Sequence, residues 1–146
     1  MSKIAQSPPL LLARATSLRL SGRVHFLRDC IGTVEHCEDE NFEIFRKVLL
    51  DPTEDQPRRP GALFVVRFNF ARFGAKTNRL LSMFPIPFIV AQPGFRSKTW
   101  MIGQKTEAFR GLYEWDSIDD AERYWTSFPM NLMKWRAIPQ TLTSVS

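Results

Sequence analysis

Residues 62–70 read ALFVVRFNF, and this stretch decides the fold. Successive strand side chains point to opposite faces. Phe64, Val66, Phe68 and Phe70 therefore share one face, and Val65, Arg67 and Asn69 share the other. The first face is wholly apolar and calls for a cover of helices. Downstream, residues 71–83 read as a helix with Phe73, Leu80 and Leu81 apolar, ended by Pro85 and Pro87 because proline cannot continue a helix. Residues 84–91 read as a buried loop. Residues 96–103 and 109–116 read as the two strands of a β-hairpin joined through 104–108. Pairing about the loop centre sets Lys98 opposite Glu114 and Trp100 opposite Leu112. Ser117 then caps a helix with Asp119 and Asp120 in its first turn, where the helix dipole favours negative charge. Ala121, Tyr124, Trp125 and Phe128 make its apolar stripe, and 140–145 suit a final edge strand. Strand, helix, strand, strand, helix, strand is the ferredoxin-like plan. It belongs to the α+β class, an antiparallel sheet with helices on one face.

The chain upstream is less regular. Residues 1–13 read as a disordered leader and 14–60 as an N-terminal extension. Leu18, Leu20, Val24 and Phe26 alternate with Arg19 and Arg23, which suits a short strand that Gly22 weakens. Between 39 and 50, Phe42, Phe45, Val48 and Leu49 fall at helical spacing. A strand competes there, because Phe42, Ile44 and Arg46 also alternate with charged neighbours. Residues 51–61, DPTEDQPRRPG, hold three prolines and five charges and read as a loop. The main domain is expected to be 61–146.

Composition excludes several classes. The 146 residues are 44% hydrophobic, enough for one domain with a real core. Two cysteines exclude a disulfide scaffold, and no apolar run reaches the ~18–20 residues of a membrane span. Pro8 and Pro9 precede only a short apolar run before Arg14, unlike a secretory signal. A cytoplasmic protein with reduced cysteines is the expectation. The net charge of +5 is local. Five of the twenty basic residues (Lys3, Arg14, Arg19, Arg23, Arg28) precede the first acid, Asp29, and the other fifteen balance the fifteen acids. A basic arm on a neutral body disfavours a nucleic-acid partner, which more often meets a basic face of the fold. RNA-recognition domains share the plan, but their aromatic strand signature is not recognisable here. His25, Cys30, His36 and Cys37 match no zinc spacing, and no histidine follows His36, which disfavours a proximal-histidine haem site in the main domain. No phosphate loop, dinucleotide fingerprint or nucleophile elbow appears.

The stretch Pro93–Gly94–Phe95–Arg96–Ser97–Lys98–Thr99–Trp100 has a proline-glycine turn followed by Lys-x-Trp on a strand. Its return strand reads Gly111–Leu112–Tyr113–Glu114–Trp115, followed by Asp116–Ser117 and a helix containing Ala121–Glu122–Arg123–Tyr124. This resembles the YdhR-like monooxygenases of the dimeric α/β-barrel superfamily. The resemblance covers about 61–145 by plan, with its specific part between Pro93 and Trp125. It implies a homodimer in which two such sheets pair as a barrel with helices outside. It also implies oxidation of a small aromatic or polyketide-like substrate by dioxygen, with no cofactor and no metal. That chemistry needs a dry pocket, a few oriented polar groups and a way to remove a proton. A non-catalytic barrel protein that binds such a molecule is the alternative.

The residues expected to carry this chemistry are Arg67, Asn69, Lys98 and Glu114. Arg67 and Asn69 share a strand face and could hold an anionic oxygen; the plainer reading is a face satisfied by solvent or a partner. Lys98 and Glu114 form either a poised acid/base pair or an ordinary cross-strand ion pair, worth roughly 0.2–1 kcal/mol. Trp100, on their face, suits a ring-shaped ligand or plain packing. Tyr113, on the opposite face, could line a cavity and donate a hydrogen bond. Periodicity leaves open which face bounds the pocket.

Overall fold

The structure is a computed structural model that describes residues 7–37, 40–56, 58–69, 74–127, 129–131 and 143–145. Its first element is helix α1 (Pro8–Leu20). Pro8 and Pro9 begin it, where a missing backbone N–H costs nothing. Leu11, Ala15 and Leu18 lie on one side and are buried. The expected disordered leader thus gives way to helix from Pro8, and the strand expected through Leu18 and Leu20 shrinks to β1 (Val24–Phe26). Burial of one helical side against the rest of the fold outweighs a local alternation that Gly22 already interrupts.

β1 and β2 (Val34–His36) both pair antiparallel with β3 (Asn41–Leu50). The strand reading of this stretch holds, and the helix reading fails. A bulge between Ile44 and Arg46 explains the ambiguity. The extra residue breaks the two-residue period, so Phe42 lies in one apolar cluster while Phe45, Val48 and Leu50 lie in the other. Spaced that way, the apolar residues of a bulged strand imitate a helix.

Then follow β4 (Ala62–Phe68), α2 (Ala75–Leu81), α3 (Ile86–Val90), β5 (Phe95–Gly103), β6 (Phe109–Trp115), α4 (Ile118–Trp125) and β7 (Thr143–Val145). Among the described residues the sheet has seven strands in the order β1-β3-β5-β6-β4-β7, with β2 also on β3. Every pairing is antiparallel. The run β5-β6-β4-β7 is the ferredoxin-like order, and β3 continues the sheet past β5. The segment expected as a buried loop is buried but contains α3, with Ile86, Phe88, Ile89 and Val90 inside. Pro87 sits in the first turn of α3, where proline starts a helix rather than ending one.

The helices share one face of the sheet. Leu11 and Leu18 of α1, Phe88 and Ile89 of α3, and Ala121 and Tyr124 of α4 join one core with Phe45, Val48, Phe64, Val66, Trp100, Tyr113 and Trp115. The apolar face read from 62–70 lies here at Phe64 and Val66. The opposite face carries a smaller cluster of Phe42, Met101 and Ala108, and leaves Leu63 half exposed at 49%.

Two part-buried ion pairs tie the extension and loops to the sheet. Glu40 Oε1 accepts from Arg67 Nη2 at 2.9 Å and from Thr106 Oγ1 at 2.5 Å. Glu40 Oε2 accepts from the backbone N–H of Lys105 and of Thr106, each at 2.9 Å. Gly103 is required beneath this carboxylate, since a Cβ there would lie 2.6 Å from Oε2. At the other end of β5, Arg96 pairs with Asp116 at 3.1 Å and donates to the carbonyl of Arg58 at 2.9 Å. Gln56 Nε2 donates to the same Asp116 at 2.7 Å, which fixes the proline-rich loop.

Candidate functional site on the helix-covered face

The hairpin register decides the site. Lys98 lies opposite Tyr113, Trp100 opposite Gly111 and Ser97 opposite Glu114. This is one residue away from pairing about the loop centre. The cause is the turn, in which Gly103 N–H donates to the Ala108 carbonyl at 2.8 Å and Glu107 takes a left-handed φ of 60°. The ladder therefore closes unevenly around 104–108. A one-residue slip turns each side chain of one strand to the other face relative to its partner. Lys98, Trp100 and Tyr113 consequently share the helix-covered face, while Glu114 points to the opposite one. The expected Lys98–Glu114 pair does not form. Glu114 Oε1 instead accepts from Ser97 Oγ at 2.5 Å.

Arg67 is also on the far face. It pairs with Glu40 and lies 5.1 Å from the Phe42 ring centroid. Asn69 follows directly after β4 and is half-buried. Of the six residues singled out from sequence, Lys98, Trp100 and Tyr113 come together, and Arg67 and Glu114 are separated from them by the sheet.

Lys98 is 5% exposed. Its Nζ lies 4.5 Å from the Trp100 ring centroid and 4.4 Å from that of Tyr113, a cation held between two π-faces. Gly111 makes this arrangement fit, because a Cβ there would lie 3.1 Å from Tyr113 Cε1 and 3.3 Å from Lys98 Cε. Behind Tyr113 is a wall of rings. Tyr113 stacks near-parallel on Trp115, and Tyr124 lies 4.9 Å from Tyr113 and 4.8 Å from Trp115. Tyr124 Oη donates to Tyr113 Oη at 3.0 Å. The Trp115 indole N–H is buried with no hydrogen-bond partner among the described residues. Burial drives both tyrosine pKa values up, so both phenols stay protonated at neutral pH; the hydrogen bond they share opposes the rise at Tyr113 and adds to it at Tyr124.

A residue that sequence reading missed completes this face. Arg46 comes from β3, and its Cζ lies 5.1 Å from the Trp100 ring centroid. Its Nη1 donates to Ser82 Oγ at 2.7 Å and its Nη2 to the Arg79 carbonyl at 3.1 Å. Burial, and then the nearby Arg79 charge, lower its pKa to about 10, which leaves it cationic at neutral pH. The signal available in sequence was a basic residue inside an apolar strand, obscured by the bulge beside it. Trp100 is thus already flanked by two cations. The arrangement can attract and steady an anion beside an apolar, aromatic wall, and among the described residues no carboxylate or imidazole is shown beside Lys98, Trp100 and Tyr113. His25 pairs with Asp51 and His36 with Asn41, both exposed on the extension. Among the described residues no group of three His, Cys, Asp or Glu side chains is placed to hold a metal ion. No helix among them is long and apolar enough to cross a membrane.

No protein-family model and no curated protein matches the chain. Two solved structures resemble it in fold. An anthrone oxidase-like protein superposes with a TM-score of 0.50 at 15% identity, covering 73% of this chain. The chain spans about half, 52%, of that protein's length. The heme-degrading enzyme LmHde from Listeria monocytogenes superposes with a TM-score of 0.51 at 10% identity, covering 84% of this chain and 94% of that one. At such identities the likeness is one of fold. The chain has the α+β ferredoxin-like fold, and these two structures resemble it in that fold.

Proposed function

We propose that this protein is a YdhR-like, cofactor-independent monooxygenase acting on a small aromatic or polyketide-like substrate. The observation that carries the reading is the buried Lys98 cation between Trp100 and Tyr113 on a helix-covered apolar face. A cation in such surroundings is worth most when it faces an anion, because little water screens it. A phenol or anthrone that loses a proton becomes that anion and can itself reduce dioxygen. For a ring-activated methylene the balance closes without a further reductant. One oxygen atom becomes the carbonyl oxygen, and the other leaves as water with the two methylene hydrogens. Lys98 and Arg46 stabilise the deprotonated substrate, Trp100 and Tyr113 shape the wall, and the proton leaves to solvent. The sheet's other face, with Leu63 half exposed, supports pairing with a second copy as a homodimer. Location in the cytoplasm accords with an unpaired Cys30 and Cys37.

The test is oxygen uptake by metal-free protein supplied with anthrone, with mass spectrometry of the product under ¹⁸O₂. One labelled atom per product, lost in Lys98→Met, is the expected result. No uptake across anthrones and phenols would favour the second reading, a small-molecule-binding protein. That reading draws on one feature: burial holds Tyr113 and Tyr124 protonated, so neither phenol serves as the base for a substrate proton.

A further inference from the structure

Arg46 of β3 and Arg79 of α2 approach the same ring. Their Cζ atoms lie 5.3 Å and 4.6 Å from the Phe45 centroid. Two like charges so placed repel, and no described neighbour offsets them. Among the described residues neither guanidinium has a carboxylate partner. The ion-paired acids serve other bases: Glu40 has Arg67, Glu35 has Arg110, Asp116 has Arg96 and Asp120 has Arg123. Helix α2, AKTNRLL, contains no acid at all.

The pair is nonetheless built rather than loose. Ser82, 5% exposed, accepts from Arg46 and donates to the Arg79 carbonyl at 2.6 Å. Arg46 is therefore aimed by two fixed acceptors and keeps its remaining N–H groups for something else. Arg79 keeps all of its own, since its guanidinium makes no hydrogen bond among the described residues. Beside them the chain exposes large apolar side chains in succession: Leu80 at 65%, Met83 at 55% and Phe84 at 66%. A cationic clamp next to an apolar ledge fits a molecule with one anionic group and a flat apolar body.

We propose that Arg46 and Arg79 form an anion clamp for a carboxylate or phenolate carried on an aromatic substrate, at the entrance to the face that holds Lys98 and Trp100. The inference rests on the small-molecule reading above and narrows it to ionised aromatics over neutral ones. It also gives the N-terminal extension a role in the site, because β3 supplies Arg46. A lipid surface would also match basic and apolar groups side by side, but a membrane headgroup does not reach a half-buried guanidinium fixed by Ser82.

The test is equilibrium binding of 2-naphthoate and of 2-naphthol to the full chain at pH 7, followed by calorimetry or tryptophan quenching. The two probes share a ring system and differ in charge. About tenfold tighter binding of the naphthoate is expected, with the preference abolished in Arg46→Gln/Arg79→Gln while naphthol binding persists. If the double variant does not fold, Arg79→Gln alone, at an exposed position, carries the test through a partial loss of preference. Equal affinities, a preference unchanged in the variants, or no saturable binding of either probe would overturn the clamp. So would cosedimentation with phosphatidylserine vesicles without binding of free naphthoate. Selective naphthoate binding in a protein that consumes no oxygen would remove the oxidase reading and leave the clamp. Oxygen consumption with anthrone and no charge preference would do the reverse.

Discussion

Strand β5 lies between two neighbours that reach it differently. β6 returns to it through the turn at 104–108, so few residues must be ordered to close that pair. β3 arrives from the far side of the proline-rich loop 51–61, and closing that distance costs more chain entropy. The local neighbour places Tyr113 beside Lys98 through ladder bonds and ring packing, with the Ser97–Glu114 hydrogen bond on the other face. The distant one is clamped by a specific polar device, Glu40, whose carboxylate holds both the hairpin turn and Arg67 of β4. Both neighbours feed the same face, since β6 contributes Tyr113 and β3 contributes Arg46. The extension is therefore part of the sheet, and it supplies Arg46 to the candidate site.

The largest expected effect comes from removing it. A chain beginning at residue 61 loses Leu11, Leu18, Phe45, Val48 and Leu50 from the core. At about 1.5–3 kcal/mol for each buried side chain, the loss approaches the ~5–15 kcal/mol that holds a domain together. Such a fragment is expected to show no cooperative thermal transition by near-ultraviolet circular dichroism. A sharp transition in the fragment would mean that the 61–145 unit is self-sufficient.

Next is Glu40. Glu40→Ala leaves the Lys105 and Thr106 N–H groups and Arg67 without their acceptor, and should cost about 2–4 kcal/mol in urea unfolding. Gly103→Ala pushes a Cβ against the same carboxylate and should cost about 1–3 kcal/mol. Glu40 also sets an acid limb. Burial pulls its pKa up, but the Thr106 and Lys105 hydrogen bonds and the Arg67 charge outweigh burial and hold it below the ordinary carboxylate value. Its contribution is thus fully present above the unfolded pKa, ~4.3, and is lost as pH falls through the folded value. The stability gap between wild type and Glu40→Gln should narrow on acidification below about pH 4. A gap that widens would contradict this sign.

Within the local pair, Tyr124→Phe leaves the Tyr113 hydroxyl buried without its partner and should cost about 1–3 kcal/mol. The double change Tyr113→Phe/Tyr124→Phe should cost less than the sum of the single ones, a coupling that a double-mutant cycle reads directly. The smallest effect is expected at Ser117→Ala, about 1 kcal/mol in thermal unfolding, because Ser117 Oγ accepts from the Asp120 N–H at the start of α4.

The same contrast governs what was legible in the residues. Strand β4, the hairpin and the capped helix α4 followed from alternation, turn length and capping, all of which act within a few residues. The ferredoxin-like plan followed from their order. Where a distant partner decides, local pattern misled. α1 is helical because Leu11, Ala15 and Leu18 find a core that the stretch itself does not announce. β3 carries a bulge that disguises its period. The site suffered most from one left-handed residue. Glu107 offsets the hairpin, and that offset sends Glu114 away from Lys98 and brings Tyr113 to it. No composition rule marks a glutamate for that conformation, so the acid/base pairing of Lys98 with Glu114 could be corrected only by the register itself.

Oxygen uptake with anthrone, compared between Lys98→Met and Glu114→Gln, tests the assignment of function to the helix-covered face most directly. The two residues lie on adjacent strands and opposite faces, so each variant samples one side of the sheet. The account predicts that Lys98→Met loses at least about tenfold in kcat/KM, near 1.4 kcal/mol of transition-state stabilisation, while Glu114→Gln stays within about twofold of wild type. An active Lys98→Met beside an inactive Glu114→Gln, both with wild-type unfolding curves, would place the chemistry on the other face and contradict the account.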